Sequence, residues 1–241
     1  MTVSIREIEK IPLKNPRIVE GFPGVGMVGT ICASYLAEKL GMTLMGSLHS
    51  SQFPPISAIH DFKPVSPARI YASKKYNLVV LFSEFVIPAN IVYPLSNVIL
   101  DFAKAKKASA LYSLAGIATP APEEKLYGIA STSKMSDLLK KQGVELIKEG
   151  ATQGVSGILI AECAARKIDA ANLLVQTAAP LDPVASALLL DKVSSMLSLD
   201  LDTSALKRQG EKVQSKIQES MDKLHALHED YKKMEQNPMY G

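Results

Sequence analysis

The sequence contains no tryptophan, only two cysteines and no long run of charge of one sign. Six phenylalanines and eight tyrosines leave few rings for stacking on bases, and 27 basic residues are interspersed with 24 acidic ones, for a net charge of +3. Proteins that follow a phosphate backbone usually gather lysine and arginine on one face. The composition therefore argues against nucleic acid binding.

The two cysteines, Cys32 and Cys163, lie within apolar helical patterns. A disulfide framework needs more cysteines, and a metal site needs closely spaced ligands. We therefore expect two buried free thiols, no metal site and no cofactor.

Long apolar runs and targeting signals are also missing. No stretch of about 18 uncharged apolar residues is present, which argues against a membrane span. Residues 1–6 lack the basic segment and apolar run of a signal peptide. These features predict a cytoplasmic protein with no membrane partner.

Hydrophobic residues make up 47% of the chain, enough for a sizeable core. Strand patterns occur at residues 17–22, 43–49, 69–73, 78–82, 109–114, 127–131, 144–147 and 173–178, and helix patterns at residues 27–40, 90–104, 134–141, 155–166 and 183–197. This alternation predicts an α/β domain over residues 1–202, with a mostly parallel sheet flanked by helices.

The pattern changes at residues 203–235, which contain no proline and one glycine. Apolar residues recur there at a heptad spacing, with Gly210 and Ser220 in the two weak positions; the seam is Leu206, Val213, Ile217, Leu224, Leu227, Tyr231 and Met234. Heptads are typical of a helix that packs along a narrow stripe. A helix of this length reaches about 50 Å. It either lies on its own domain or projects to meet another subunit, and we favour projection.

Gly24, Gly26 and Gly29 form a G-x-G-x-x-G pattern between a predicted strand and a predicted helix. That pattern can hold a dinucleotide phosphate at a helix N-terminus. However, no acidic residue ends the next strand to bind a ribose, and the first acid that follows it is Asp61. We therefore interpret the glycines as a tight structural turn.

Candidate catalytic residues are scattered. The candidates are four histidines, two carboxylates and one serine: His49, His60, His225, His228, Glu84, Glu162 and Ser156. They form no convergent set of acid, base and nucleophile of the kind that catalysis requires. We expect the protein not to be an enzyme.

The last residues, 236–241, are predicted to be a flexible tail because Pro238 disfavours helix at the residue before it. The tail ends with Met239, Tyr240 and Gly241. An apolar side chain, a large aromatic ring and a terminal carboxylate suit a pocket that holds a basic residue. The pattern predicts a docking motif, with a chance tyrosine in a frayed tail as the alternative.

Three segments together resemble the proteasome assembly chaperone family, particularly its archaeal members. They are residues 20–29 (EGFPGVGMVG), 154–159 (GVSGIL) and 178–188 (AAPLDPVASAL). The resemblance implies a phosphorylase-like α/β sandwich without enzymatic chemistry that forms a homo-oligomer. It also implies binding to the proteasome α-ring through a C-terminal hydrophobic-tyrosine-any motif. In that arrangement Met239 would contact the pocket rim, Tyr240 would enter the pocket, and the Gly241 carboxylate would meet a pocket lysine.

Two other functions remain open from the residues. A phosphorylase-like enzyme or small-ligand-binding protein acting on nucleosides would need a phosphate-binding cation such as Arg17, Arg69 or Arg166. An oligomeric scaffold would use the C-terminal helix for another partner. Removal of the last three residues distinguishes the scaffold from tail docking.

Overall fold

The computed structural model describes residues 3–208. Its strands are β1 (Val3–Glu7), β2 (Arg17–Gly21), β3 (Thr43–Ser50), β4 (Ala58–His60), β5 (Lys63–Val65), β6 (Ala68–Ser73), β7 (Leu78–Ser83), β8 (Ala110–Ala118), β9 (Leu126–Ala130), β10 (Glu145–Leu146) and β11 (Ala170–Thr177). Its helices are α1 (Val28–Lys39), α2 (Val92–Ala105), α3 (Ser133–Lys141), α4 (Gly154–Ala165), α5 (Pro183–Leu197) and α6 (Ser204–Arg208). Short 3-10 turns at Val25–Met27 and Ala89–Ile91 precede α1 and α2.

Nine strands form one sheet in the order β1-β3-β6-β7-β2-β8-β11-β9-β10, and β4 and β5 form a separate hairpin. The four strands β7, β2, β8 and β11 are parallel to one another, as β10 is to β9. The other pairings in the sheet are antiparallel. The predicted α/β fold is confirmed; the sheet is parallel at its centre, antiparallel from β7 to the β1 edge and mixed towards the β10 edge.

Helices cover both faces of the sheet. We call α1, α3 and α5 the first layer, and α2 and α4 the second layer. Side chains alternate along a strand, so Leu78, Val80 and Phe82 of β7 join the first layer's core cluster, while Val79 and Leu81 join the second's. Every residue of β7 is buried, as expected of a strand covered on both faces.

Local signals explain where several helices begin and end. The Asp182 carboxylate accepts a hydrogen bond from the Ala185 amide at the start of α5, and Pro183 occupies its first turn. Gly41, with φ of 55°, follows the end of α1, as its position after the apolar pattern predicts. The predicted helix at residues 183–197 coincides with α5.

Three observed strands are absent from the sequence prediction. They are the edge strand β1 and the two strands of the β4–β5 hairpin. Of the predicted helix at residues 203–235, only α6 falls within the described residues. The remainder of that helix and the tail at residues 236–241 lie outside them.

Candidate functional site

The described part of the C-terminal segment is its base, α6. Leu206, the first residue of the predicted seam, is 1% exposed and belongs to the first layer's core cluster. α6 packs against α5. The base of the C-terminal segment is therefore held by apolar packing.

Polar contacts hold the same base. Asp191 on α5 accepts a hydrogen bond from the Thr203 hydroxyl and pairs with Lys207 at 2.7 Å. The Tyr35 hydroxyl of α1 donates to the Asp202 carbonyl oxygen at 2.8 Å. Hydrogen bonds from Ser204 to the Asp202 carboxylate lower the pKa of Asp202. Residues from both α1 and α5 thus fix residues 202–207 to the first layer.

The rest of the predicted docking apparatus lies outside the described residues. This applies to six seam positions, Val213, Ile217, Leu224, Leu227, Tyr231 and Met234, and to the tail residues Met239, Tyr240 and Gly241. It also applies to His225 and His228. Their roles remain predictions.

The glycine turn lies at the carboxyl end of β2 and leads into α1. A side chain at Gly29 would lie 2.3 Å from the Leu114 carbonyl oxygen of β8. Gly26 has φ of 64°, and a side chain there would lie 2.7 Å from the Thr177 methyl group. Gly24 has open space around it. At Gly26 and Gly29, the backbone of the turn approaches β8 and β11 too closely for a side chain.

The segment before α5 packs onto this turn. The Asp182 amide donates to the Gly26 carbonyl oxygen at 2.9 Å. The Asp182 carboxylate accepts from the Thr177 hydroxyl at 2.7 Å. A carboxylate beside the turn disfavours a bound phosphate electrostatically. This geometry suits a structural turn rather than a dinucleotide site.

Glu84 and His60 meet at the carboxyl end of β7. The Glu84 carboxylate pairs with the Arg69 guanidinium and also contacts His60 Nε2 at 2.7 Å. Arg69 lies close to the rings of Tyr71 and Phe82, with its side chain only 4% exposed. Arg69, one of the candidate phosphate-binding cations, is therefore already paired with Glu84.

The other candidate cations also have protein partners. Arg17 donates to the carbonyl oxygens of Leu197 and Tyr76, at 2.9 and 3.0 Å. Arg166 pairs with Glu162 at 2.6 Å along the outside of α4. Both arginines are therefore engaged within the protein, and neither contact involves Glu84.

The remaining candidates do not converge. His49 Nε2 lies 2.7 Å from Ser47 Oγ, and its pKa is lowered by burial and then by Arg6. Cys32 and Cys163 are free and buried, as predicted. Ser156 lies in the first turn of α4, half-buried. Residues 3–208 contain no group of three or more acidic, histidine or cysteine side chains placed to hold a metal.

Among those same residues, no helix is both long and apolar enough to cross a membrane.

The chain is similar to known proteins over most of its length. The model of the PAC2 family matches residues 18–221. An uncharacterized protein of Methanocaldococcus jannaschii is 30% identical over 223 residues, which cover 91% of this chain and 92% of the relative.

Two solved structures share the fold. Pyrococcus furiosus PbaA, described as an archaeal homolog of proteasome-assembly chaperone, is 28% identical with a TM-score of 0.83, over 95% of this chain and 99% of PbaA. PbaB of the same organism, described as an archaeal proteasome activator, is 20% identical with a TM-score of 0.76, over 90% of this chain and 98% of PbaB. At that identity PbaB supports the fold alone. Taken with the family match across residues 18–221, these similarities show that the chain belongs to the PAC2 family, among relatives that include proteasome-assembly chaperone homologues.

Proposed function

We propose that this chain is a cytoplasmic, non-enzymatic protein that assists proteasome assembly or function by docking on the α-ring. In this proposal it forms a homo-oligomer, and Met239, Tyr240 and Gly241 of each subunit enter pockets of the ring. The observation that carries the proposal is the similarity to PbaA, which extends over nearly the whole of both chains.

The anchored base of the C-terminal segment supports this mechanism. Leu206, Thr203 and Lys207 are held against the first layer, so the segment starts from a fixed point on each subunit. A fixed origin limits the volume that a tail explores and raises its effective concentration near a neighbouring pocket. In this proposal, residues 209–241 span the distance between the anchored base and the α-ring.

Multivalency accounts for the strength of docking. Three ordered residues bury little surface, and each tail loses conformational freedom when it binds. Several tails on one oligomer convert weak individual contacts into stable attachment, provided that they engage the same ring simultaneously. The proposal therefore joins the oligomer and the tail in one mechanism.

The test is complex formation with purified α-rings, measured by analytical ultracentrifugation. The full chain is compared with a version ending at Pro238 and with Tyr240→Ala. The matched control is Asn237→Ala, which changes the same tail outside the motif. We expect the full chain and the control to bind, and the other two variants to lose binding while circular dichroism shows an intact fold.

The alternatives predict different results. Equal binding by the full chain and the truncated version would place the contact on the body or helix, in favour of a scaffold. Absence of binding by every folded version would refute docking on the α-ring. A screen of nucleosides and phosphate against the α/β body would then test the phosphorylase-like alternative.

A further inference from the structure

A row of buried polar side chains crosses the centre of the sheet on the face covered by the second layer. Glu20 on β2 and Asn172 on β11 both lie in register with Ser113 on β8. All three are 1% exposed or less. Each follows, by two residues, a member of the second layer's core cluster, so the three side chains share that face. The row thus lies in the apolar interior beneath α2 and α4.

The polar atoms of these three side chains make few hydrogen bonds. Glu20 Oε2 accepts one from the Phe22 amide at 3.2 Å. Within residues 3–208, Glu20 Oε1, Ser113 Oγ and both polar atoms of the Asn172 amide have no hydrogen-bond partner. An ionised carboxylate costs far more to bury among apolar side chains than the neutral acid does. Burial accordingly raises the pKa of Glu20 to about 7, against smaller lowering effects of the nearby Ser113 hydroxyl, which lies outside hydrogen-bond geometry, and of the Phe22 amide.

The surrounding elements supply no compensating cation among the described residues. The neighbours in register on β7 and β8 are Leu81 and Ser113. The ionisable side chains on α2 and α4 are Tyr93, Asp101, Lys104, Glu162 and Cys163. Of these only Cys163 is buried, and burial raises its pKa to about 11, so it is a neutral thiol near pH 7. Charge balance at Glu20 therefore depends on a proton.

We propose that Glu20 is a proton-binding site: its carboxyl stays neutral beneath the second layer, in register with Ser113 and, through Ser113, with Asn172. The proton thus lies within a row of three buried polar residues on three neighbouring strands. The same carboxyl holds the Phe22 amide at the entrance to the glycine turn, so the site also supports the start of α1. Loss of the proton leaves an uncompensated charge beneath the second layer. This inference does not rest on α-ring docking.

The direction of the pH dependence follows from linkage. The ordinary pKa of a glutamate is 4.5, and the pKa of Glu20 in the folded protein is about 7. Between these values the native state retains a proton that the unfolded chain has released, so the free energy of unfolding falls as the pH rises. The folding equilibrium constant falls by up to about tenfold per pH unit in this window. Well above pH 7 both states are ionised, and the penalty becomes constant.

Urea unfolding of the full chain at several pH values between about 5 and 8 tests the proposal. Glu20→Gln keeps a neutral group of similar shape and cannot ionise. We expect this variant to lose the decline in stability and, at pH 8, to exceed the wild type in folding equilibrium constant by about tenfold or more. The control is Glu124→Gln, an exposed position, which should follow the wild type. A Glu20→Gln profile parallel to that of the wild type, or lower stability at pH 8, would overturn the proposal.

Infrared difference spectroscopy of the wild type gives an independent readout that does not depend on the variant folding. A protonated buried carboxyl has a carbonyl band distinct from that of a carboxylate. We expect such a band at pH 6 that loses about half of its intensity near pH 7, and that is absent from Glu20→Gln where this variant folds. No protonated carboxyl at pH 6 would refute the proton site.

Discussion

At the scale of single residues, the glycines of the turn differ in what a side chain would meet. At Gly29 the obstacle is the Leu114 carbonyl oxygen of a central strand, and a second close atom is the Phe22 carbonyl oxygen, at 3.0 Å. Backbone atoms of packed strands and turns cannot move away as a flexible side chain can. At Gly24 the same addition meets nothing within 4 Å, and the backbone is extended, with φ of −160°. The motif therefore contains both a required and a replaceable glycine.

This difference gives a matched pair of variants. Gly29→Ala should lower the free energy of unfolding by about 1–3 kcal/mol, because β2, α1 and β8 must separate to admit the methyl group. Gly24→Ala should change it by no more than about 0.5 kcal/mol. Chemical denaturation followed by circular dichroism measures both. Similar losses at the two positions would show that close approach is not what Gly29 provides.

Burial of individual polar residues is the part of the structure that the sequence predicts least well. The pattern at residues 17–22 predicts β2, yet a single glutamate in such a run is equally compatible with a half-exposed strand. Glu20 is buried because β2 lies between β7 and β8 and is covered on both faces. That position results from long-range pairing, which no local pattern records. The same holds for Asp191, whose partner Thr203 belongs to a different element.

At the scale of elements, strong local signals predict the central strands and the helices well. The long apolar pattern, the Asp182 cap and Pro183 together predict α5 with its observed bounds. β1 has only two residues that are not exposed, Val3 and Ile5, and β4 and β5 have three residues each, with Pro64 in β5. Short, largely exposed strands carry little periodic signal. Their existence depends on pairing with neighbours.

The direction of the strands is also a property of pairing. β3, β6 and β7 are joined by antiparallel pairs, whereas alternation of strands and helices favours parallel ones. No predicted helix separates the strand patterns at residues 69–73 and 78–82, and β6 and β7 form an antiparallel pair there. A short connection permits antiparallel pairing only, because parallel strands need a longer crossover. The antiparallel pairing of β6 and β7 could therefore be predicted from the short connection between their patterns.

The base of the C-terminal segment gives an element-scale prediction. Leu206→Ala removes a buried side chain from the first layer and should lower the free energy of unfolding by at most about 2–4 kcal/mol. The loss is smaller if α6 frays locally, because the rest of the domain then stays folded. Limited proteolysis should then cut near residues 203–208 faster than in the wild type. If α-ring docking needs an anchored base, ring affinity should also fall, although Met239, Tyr240 and Gly241 are intact.

Arg208→Ala is the control for this experiment. Arg208 is exposed, and its guanidinium donates a hydrogen bond to Ser204 Oγ in the same short helix, at 3.0 Å. It should leave the cleavage rate near residues 203–208 and ring binding close to wild type. Unchanged proteolysis in Leu206→Ala would contradict the view that this side chain anchors the segment.

At the scale of the whole molecule, the segments that resemble the chaperone family mark packing sites rather than a catalytic centre. Residues 20–29 and 178–188 meet where the Asp182 amide donates to the Gly26 carbonyl oxygen. Residues 154–159 begin α4, where a side chain at Gly157 would lie 2.8 Å from the Thr152 backbone. All three segments position helices on the central strands. A shared body of this kind can be retained while the partner contact resides in a separate C-terminal segment.

The proposed multivalency can be tested with mixed oligomers. Subunits that end at Pro238 are mixed with full-length subunits, refolded or co-expressed, in several ratios, and α-ring binding is measured by ultracentrifugation. In this proposal stable attachment requires several tails at once, so bound complex should fall more steeply than the fraction of intact tails. Mixing with Asn237→Ala subunits should leave binding unchanged. A decline in direct proportion to intact tails would mean that each tail binds independently, and the oligomer would then contribute nothing to docking strength.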